Sequence, residues 1–115
     1  MTDGPLKRII LEMGSGNDLH GGDYTKAAKR AVQDALHHSS LILFRTLEID
    51  PNSMQIELTL AAQEPEKIDV ESVAATLPYG EVTAKAIEGG LNVPDDATGS
   101  VSVVVNAGVL VRLPV

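Results

Sequence analysis

The sequence predicts an α+β two-layer sandwich, a mixed sheet with two helices on one face. Apolar residues alternate at a period of two in several stretches and follow helical spacing in two others. Clusters rich in Gly, Pro, Asn and Asp separate these stretches. The 115 residues, 43% of them apolar, contain no repeat, linker or low-complexity tract, so residues 1–115 form one domain.

Lys7 to Met13 reads as the first strand, with Ile9, Leu11 and Met13 on one face and Arg8, Ile10 and Glu12 on the other. The stretch Gly14-Ser15-Gly16-Asn17-Asp18-Leu19-His20-Gly21-Gly22-Asp23 should end it as a loop, because glycines are costly inside a strand. Asp23 or Thr25 can cap a helix running to about His38, with Tyr24, Ala28, Ala31, Val32, Ala35 and Leu36 as its buried stripe. Its alanines would let it lie close to a sheet.

Leu41 to Ile49 is a second strand, and Asp50-Pro51-Asn52-Ser53 a turn. Met54, Ile56, Leu58 and Leu60 then alternate with polar residues in a third strand, so the two should form a hairpin. Asp69 can cap a short helix from Val70 to Leu77, which Pro78 stops. Glu81 to Ile87 is a fourth strand, broken by Gly89-Gly90, and Pro94 to Ser100 is turn-rich. Val101 to Leu113, apolar on both faces near Val104, reads as a buried central strand with a bulge at Asn106-Ala107-Gly108. The order β-α-β-β-α-β-β fits a ferredoxin-like or chorismate-mutase-like sandwich.

Composition narrows the chemistry. Without cysteine there are no disulfides, thiolate-bound metals or thiol nucleophiles. A formal charge of −7 argues against nucleic-acid binding. No apolar run approaches a membrane span, and the polar start of the chain lacks a signal-peptide core, so a cytoplasmic protein with no membrane contact is expected. Only Tyr24, Phe44 and Tyr79 are aromatic, and so small-residue a core favours a homo-oligomer.

The glycine-rich stretch concentrates the candidate site, and three readings stay open. The first is a small anionic ligand held at a helix start by the backbone around Gly14, Gly16, Asn17 and Gly21, with Lys26 adding charge and Arg45 and Asn106 in reserve. Lys29 and Arg30 would strengthen it. No Gly-Lys-Ser/Thr follows, and Leu19 replaces the third glycine of a dinucleotide fingerprint, so neither nucleotide nor haem is implied. The second is metal or acid–base chemistry: Asp18 and His20 are two apart, and Glu12 would be a third ligand for a divalent metal. As an enzyme, the protein would use Asp18 and His20 as its acid–base pair. The third is a purely structural turn, which would suit a noncatalytic assembly protein.

The pattern Gly14-x-Gly16-x-Asp18-x-His20-Gly21 also resembles the N-terminal G-x-G-x-D-x-H-G hallmark of the "Lin" family of conserved hypothetical proteins. Glu12-Met13-Gly14, Thr25-Lys26-Ala27-Ala28, Pro78-Tyr79-Gly80, Glu88-Gly89-Gly90 and Asn106-Ala107 extend the resemblance over most of the chain. It implies unknown function and places the emphasis on Gly14, Gly16, Asp18, His20 and Gly21.

Overall fold

The computed structural model describes residues 6–19, 21–37, 53–77 and 80–114. The expected strand 41–49 with Arg45, its hairpin with the next strand, His20, His38 and Tyr79 lie outside the described residues. The elements are β1 (Leu6–Asp18), α1 (Tyr24–His37), β2 (Gln55–Ala62), a 3-10 turn (Pro65–Lys67), α2 (Val70–Ala74), β3 (Glu81–Glu88), β4 (Leu91–Pro94) and β5 (Val101–Pro114). They build the expected α+β architecture, among the described residues a five-stranded mixed sheet with both helices packed on its core face.

β5 is the central strand. It pairs antiparallel with β1 on one side and with β2 and β4 on the other, and β2 pairs in parallel with β3. A parallel pair needs a crossover, which the 3-10 turn and α2 supply. The Asp69 side chain caps α2 by accepting from the Ser72 amide at 3.1 Å. The helix is shorter than expected: 75–77 wind into tighter turns, the Thr76 amide bonding to the Val73 carbonyl and that of Leu77 to Ala74.

Alternate residues of β5 — Val103, Val105, Ala107, Val109, Val111 and Leu113 — are buried under the helices with Ile56, Leu58 and Leu60 of β2. The intervening residues lie on the opposite, open face. The expected bulge at residues 106–108 is absent, since the register of β5 with both β1 and β2 runs through them unbroken. The irregularity is in β1 instead, between Arg8 and Ile10.

β1 departs most from expectation. It does not stop at Met13 but continues to Asp18, with Gly14 opposite Ala107 and Gly16 opposite Val105. Both glycines face α1. A Cβ on Gly14 would collide with the backbone of Ala31 and Ala35, and one on Gly16 with that of Ala27 and Ala31. The glycines and the buried alanine stripe of α1 are thus two halves of one backbone-to-backbone contact, and this approach outweighs the usual cost of glycine in a strand. It also sets the facing of β1. Glu12 lies on the helix side, half-buried, while Leu11 and Met13 point to the open face, 48% and 71% exposed.

β4 is a strand that the sequence reading did not separate. β2 pairs with β5 along residues 106–112, and β4 takes over alongside residues 101–104. The change of lane runs through Gly90, which has φ +65° and no room for a Cβ beside the Val104 and Ala61 carbonyls. Residues 95–100 close a turn onto β5, with the Asp95 amide donating to the Ser100 carbonyl at 2.8 Å.

Candidate functional site

β1 ends where α1 begins, and the turn between them is organised by Asp18. Its residue surface is only 7% exposed. Oδ2 accepts the Asp23 amide at 2.9 Å, tying the end of β1 to the start of α1. Asp23 in turn caps α1, its Oδ1 accepting the Lys26 amide at 3.0 Å and its carbonyl the Ala27 amide. Gly21 passes so close that a Cβ there would stand 2.8 Å from Asp18 Oδ2, and Gly22 turns the chain with φ +61°.

The other carboxylate oxygen, Oδ1, faces two cations spaced i, i+4 on the helix: Lys26 Nζ at 3.9 Å and Arg30 Nη1 at 3.8 Å. Arg30 Nη1 also donates to the Asn17 carbonyl at 2.7 Å. The amide of Asp23, foremost, and the charges of Lys26 and Arg30 outweigh burial and hold the Asp18 carboxyl below its ordinary value, so it is ionised at neutral pH. Asn17, Asp18, Leu19, Gly21, Asp23, Lys26 and Arg30 line an open cleft of about 530 Å³.

Of the candidates, Asn17, Asp18, Gly21 and Lys26 therefore meet at one place. Gly14 and Gly16 do not line this cleft. Asn106 is exposed on the open face rather than buried in an apolar strand. Glu12 is on the same strand as Asp18 but six residues back, about 20 Å at the rise of an extended chain. It cannot share an ion with Asp18. Among the described residues no three His, Asp or Glu side chains gather as a metal set, and Asp18 already faces two cations.

Two features escaped the sequence reading. The Arg30 contribution was legible only as added charge, although its i, i+4 spacing from Lys26 places both on one side of α1. A second polar chain was not legible at all. The Asn92 amide of β4 donates to Tyr24 Oη at 2.8 Å, and Tyr24 donates to Glu64 Oε2 at 3.0 Å. Lys67 Nζ lies 3.1 Å from Glu64 Oε1 and 6.0 Å from the Tyr24 ring centre. Lys67 first, then Tyr24, lowers the Glu64 pKa, and Glu64 raises that of Lys67. Residues 64, 24 and 92 are far apart in sequence, so only the fold reveals the chain.

Residues 8–111 match the model of a family described as "Conserved hypothetical protein (Lin0512_fam)". The chain is also similar to a crystal structure of an FtsZ-like protein of unknown function from Nostoc punctiforme PCC 73102. That similarity has 35% identity and a TM-score of 0.84, and covers 96% of this chain and 98% of the other. No curated protein matches. Among the described residues no helix is long and apolar enough to cross a membrane.

Proposed function

This chain belongs to the Lin0512 family of conserved hypothetical proteins, and from that premise we propose that it binds a small anionic ligand in the cleft at the start of α1. One observation carries the reading. Lys26 and Arg30 stand on the cleft, their side chains 53% and 47% exposed, near the Asp18 carboxylate but not in close hydrogen-bonded contact with it. Both keep donors for a carboxylate or phosphate on the ligand. The ionised Asp18 is suited to accept a hydrogen bond from a ligand hydroxyl or amine, not to donate a proton. In a catalytic version of this site, proton transfer would fall to His20, which lies in the chain between the lining residues Leu19 and Gly21. The expected setting is a cytoplasmic homo-oligomer.

A second reading, a noncatalytic assembly protein, is favoured by the structural work that the signature residues do: Gly14 and Gly16 admit α1, and Asp18 ties the end of β1 to the start of α1. Native mass spectrometry of freshly purified protein, with thermal-shift titration by inorganic phosphate and small dicarboxylates, separates the two. The ligand reading expects a bound mass or a shift that is lost in Arg30→Ala and His20→Ala while circular dichroism is unchanged. Absence of any shift in the wild type, or one unaltered in both variants, favours assembly.

A further inference from the structure

The open face of the sheet carries a depression that nothing among the described residues fills. Met13, Gly108 and Thr59 form one row across β1, β5 and β2. Among the described residues a side chain at Gly108 would meet nothing within 4 Å, and Gly108 is not among the glycines with positive φ, so neither their packing nor backbone geometry calls for glycine there. The depression, about 560 Å³, is also lined by Ala61 and Asn106 and, at the β1 edge, by Ser15 and Asp34 of α1, and Met13 stands 71% exposed at its border.

We propose that this face is the contact between two copies of the chain, the Met13 side chain of each seated over Gly108 of the other. A two-fold contact uses one patch twice, so the patch must hold both a projection and a recess, and Met13 beside Gly108 provides them. An unbranched thioether adapts well to such a recess. Leu11, Leu91 and Val93, each about half exposed on the same face, extend the apolar area.

Size and charge point to a second copy as the occupant. The lanes of β1, β5, β2, β3 and β4 present roughly 750 Å² in projection, at about 4.8 Å per strand and 3.3 Å per residue. A standard interface takes about 800 Å² from each partner. The chain as a whole carries −7, yet among the described residues of this face three cations, Arg8, Lys85 and Arg112, stand against the strand carboxylates Glu57 and Glu81 and the Asp34 carboxylate at the rim of the depression. Arg112 and Glu57 pair at 2.6 Å. Like copies of an acidic protein would therefore meet here without net repulsion of their acidic charge.

The face is distinct from the cleft at α1, and the test keeps them apart. Sedimentation velocity over a concentration series is run on the wild type, Met13→Glu, Gly108→Val and Arg30→Ala. A wild-type dimer is expected, weakened about 30-fold or more by Met13→Glu and by Gly108→Val, the scale of a central contact. Gly108→Val should not lower the melting temperature of the monomer, because valine suits a strand and the space is open. Arg30→Ala should associate like the wild type. A wild-type monomer at 100 μM, or dimers unaffected by both face variants, would overturn the proposal. Because the chain has no cysteine, Met13→Cys supplies a readout that needs no disruption. Its thiol should react with a maleimide at least tenfold more slowly than that of Gln33→Cys on the outer side of α1, and equal rates would overturn the proposal.

Discussion

Gly16 of β1 and Ala31 of α1 meet backbone against backbone, with no space between them for a single methyl group. Helix and strand are adjacent in sequence, and the Gly14–Gly16 pair lets them close directly onto each other. Adding a Cβ forces backbone to shift, not the end of a flexible side chain. Gly16→Ala should therefore cost about 3 kcal/mol or more, at or beyond the usual range for overpacking a core. Gly108→Ala, a matched substitution in the same sheet but over open space, should be neutral or slightly stabilising in the monomer. Urea denaturation of the two variants checks the contrast.

Asp18 is held ionised by the Asp23 amide and by Lys26 and Arg30, so its pKa is lower folded than unfolded. Its contribution is fully present above the ordinary value of 3.8 and is lost as pH falls from there through the lowered folded value. Asp18→Asn should thus melt below the wild type at pH 7, and the gap should narrow as the pH is taken below 4. A gap constant across that range would mean that charge is not what Asp18 contributes.

Tyr24 is buried at the start of α1, and among the described residues its hydroxyl is the only partner of the Asn92 amide group. Tyr24→Phe should cost about 1–3 kcal/mol, the range for leaving a buried polar group unsatisfied. Asn92→Ala in the same background should then cost little more, because the partner is already gone. A double-mutant cycle by chemical denaturation measures this coupling.

Asn106 shows how position overrides residue type. Its sequence neighbours are apolar, which suggests a buried amide needing partners. In the sheet it alternates onto the open face between Ser15 and Ala61. Asn106→Ala should change the stability of the monomer by no more than about 0.5 kcal/mol, as for other surface substitutions; calorimetry at low protein concentration checks it.

The elements legible in the sequence are those with a long, regular period. The stripe of α1 is one, with Tyr24, Ala28, Ala31, Val32 and Ala35 all buried, and the alternation of Met54 to Leu60 is another. The central place of β5 followed from its run of valines. The facing of β1 did not follow from hydropathy: Leu11 and Met13 are apolar yet turn away from the helices, because the glycines two residues on must face α1. β4 was hidden by its length, four residues between Gly90 and the turn after Pro94. At the site, Asn17, Asp18, Gly21 and Lys26 are close in sequence and line one cleft, whereas Glu12 is separated from them by the same strand that carries it.

The placement of β5 governs the order in which the fold can be completed. It is synthesised after the other described strands, yet it lies between β1 and β2, which have no strand pairing with each other. Before β5 is made, β1 and α1 can associate locally and β2 can pair with β3, but among the described residues no strand pairing joins the two halves, which touch through α1, as where Tyr24 donates to Glu64. Joining them requires insertion of a late segment between two early ones, a nonlocal step that is slow for its size and leaves strand edges uncovered while it waits.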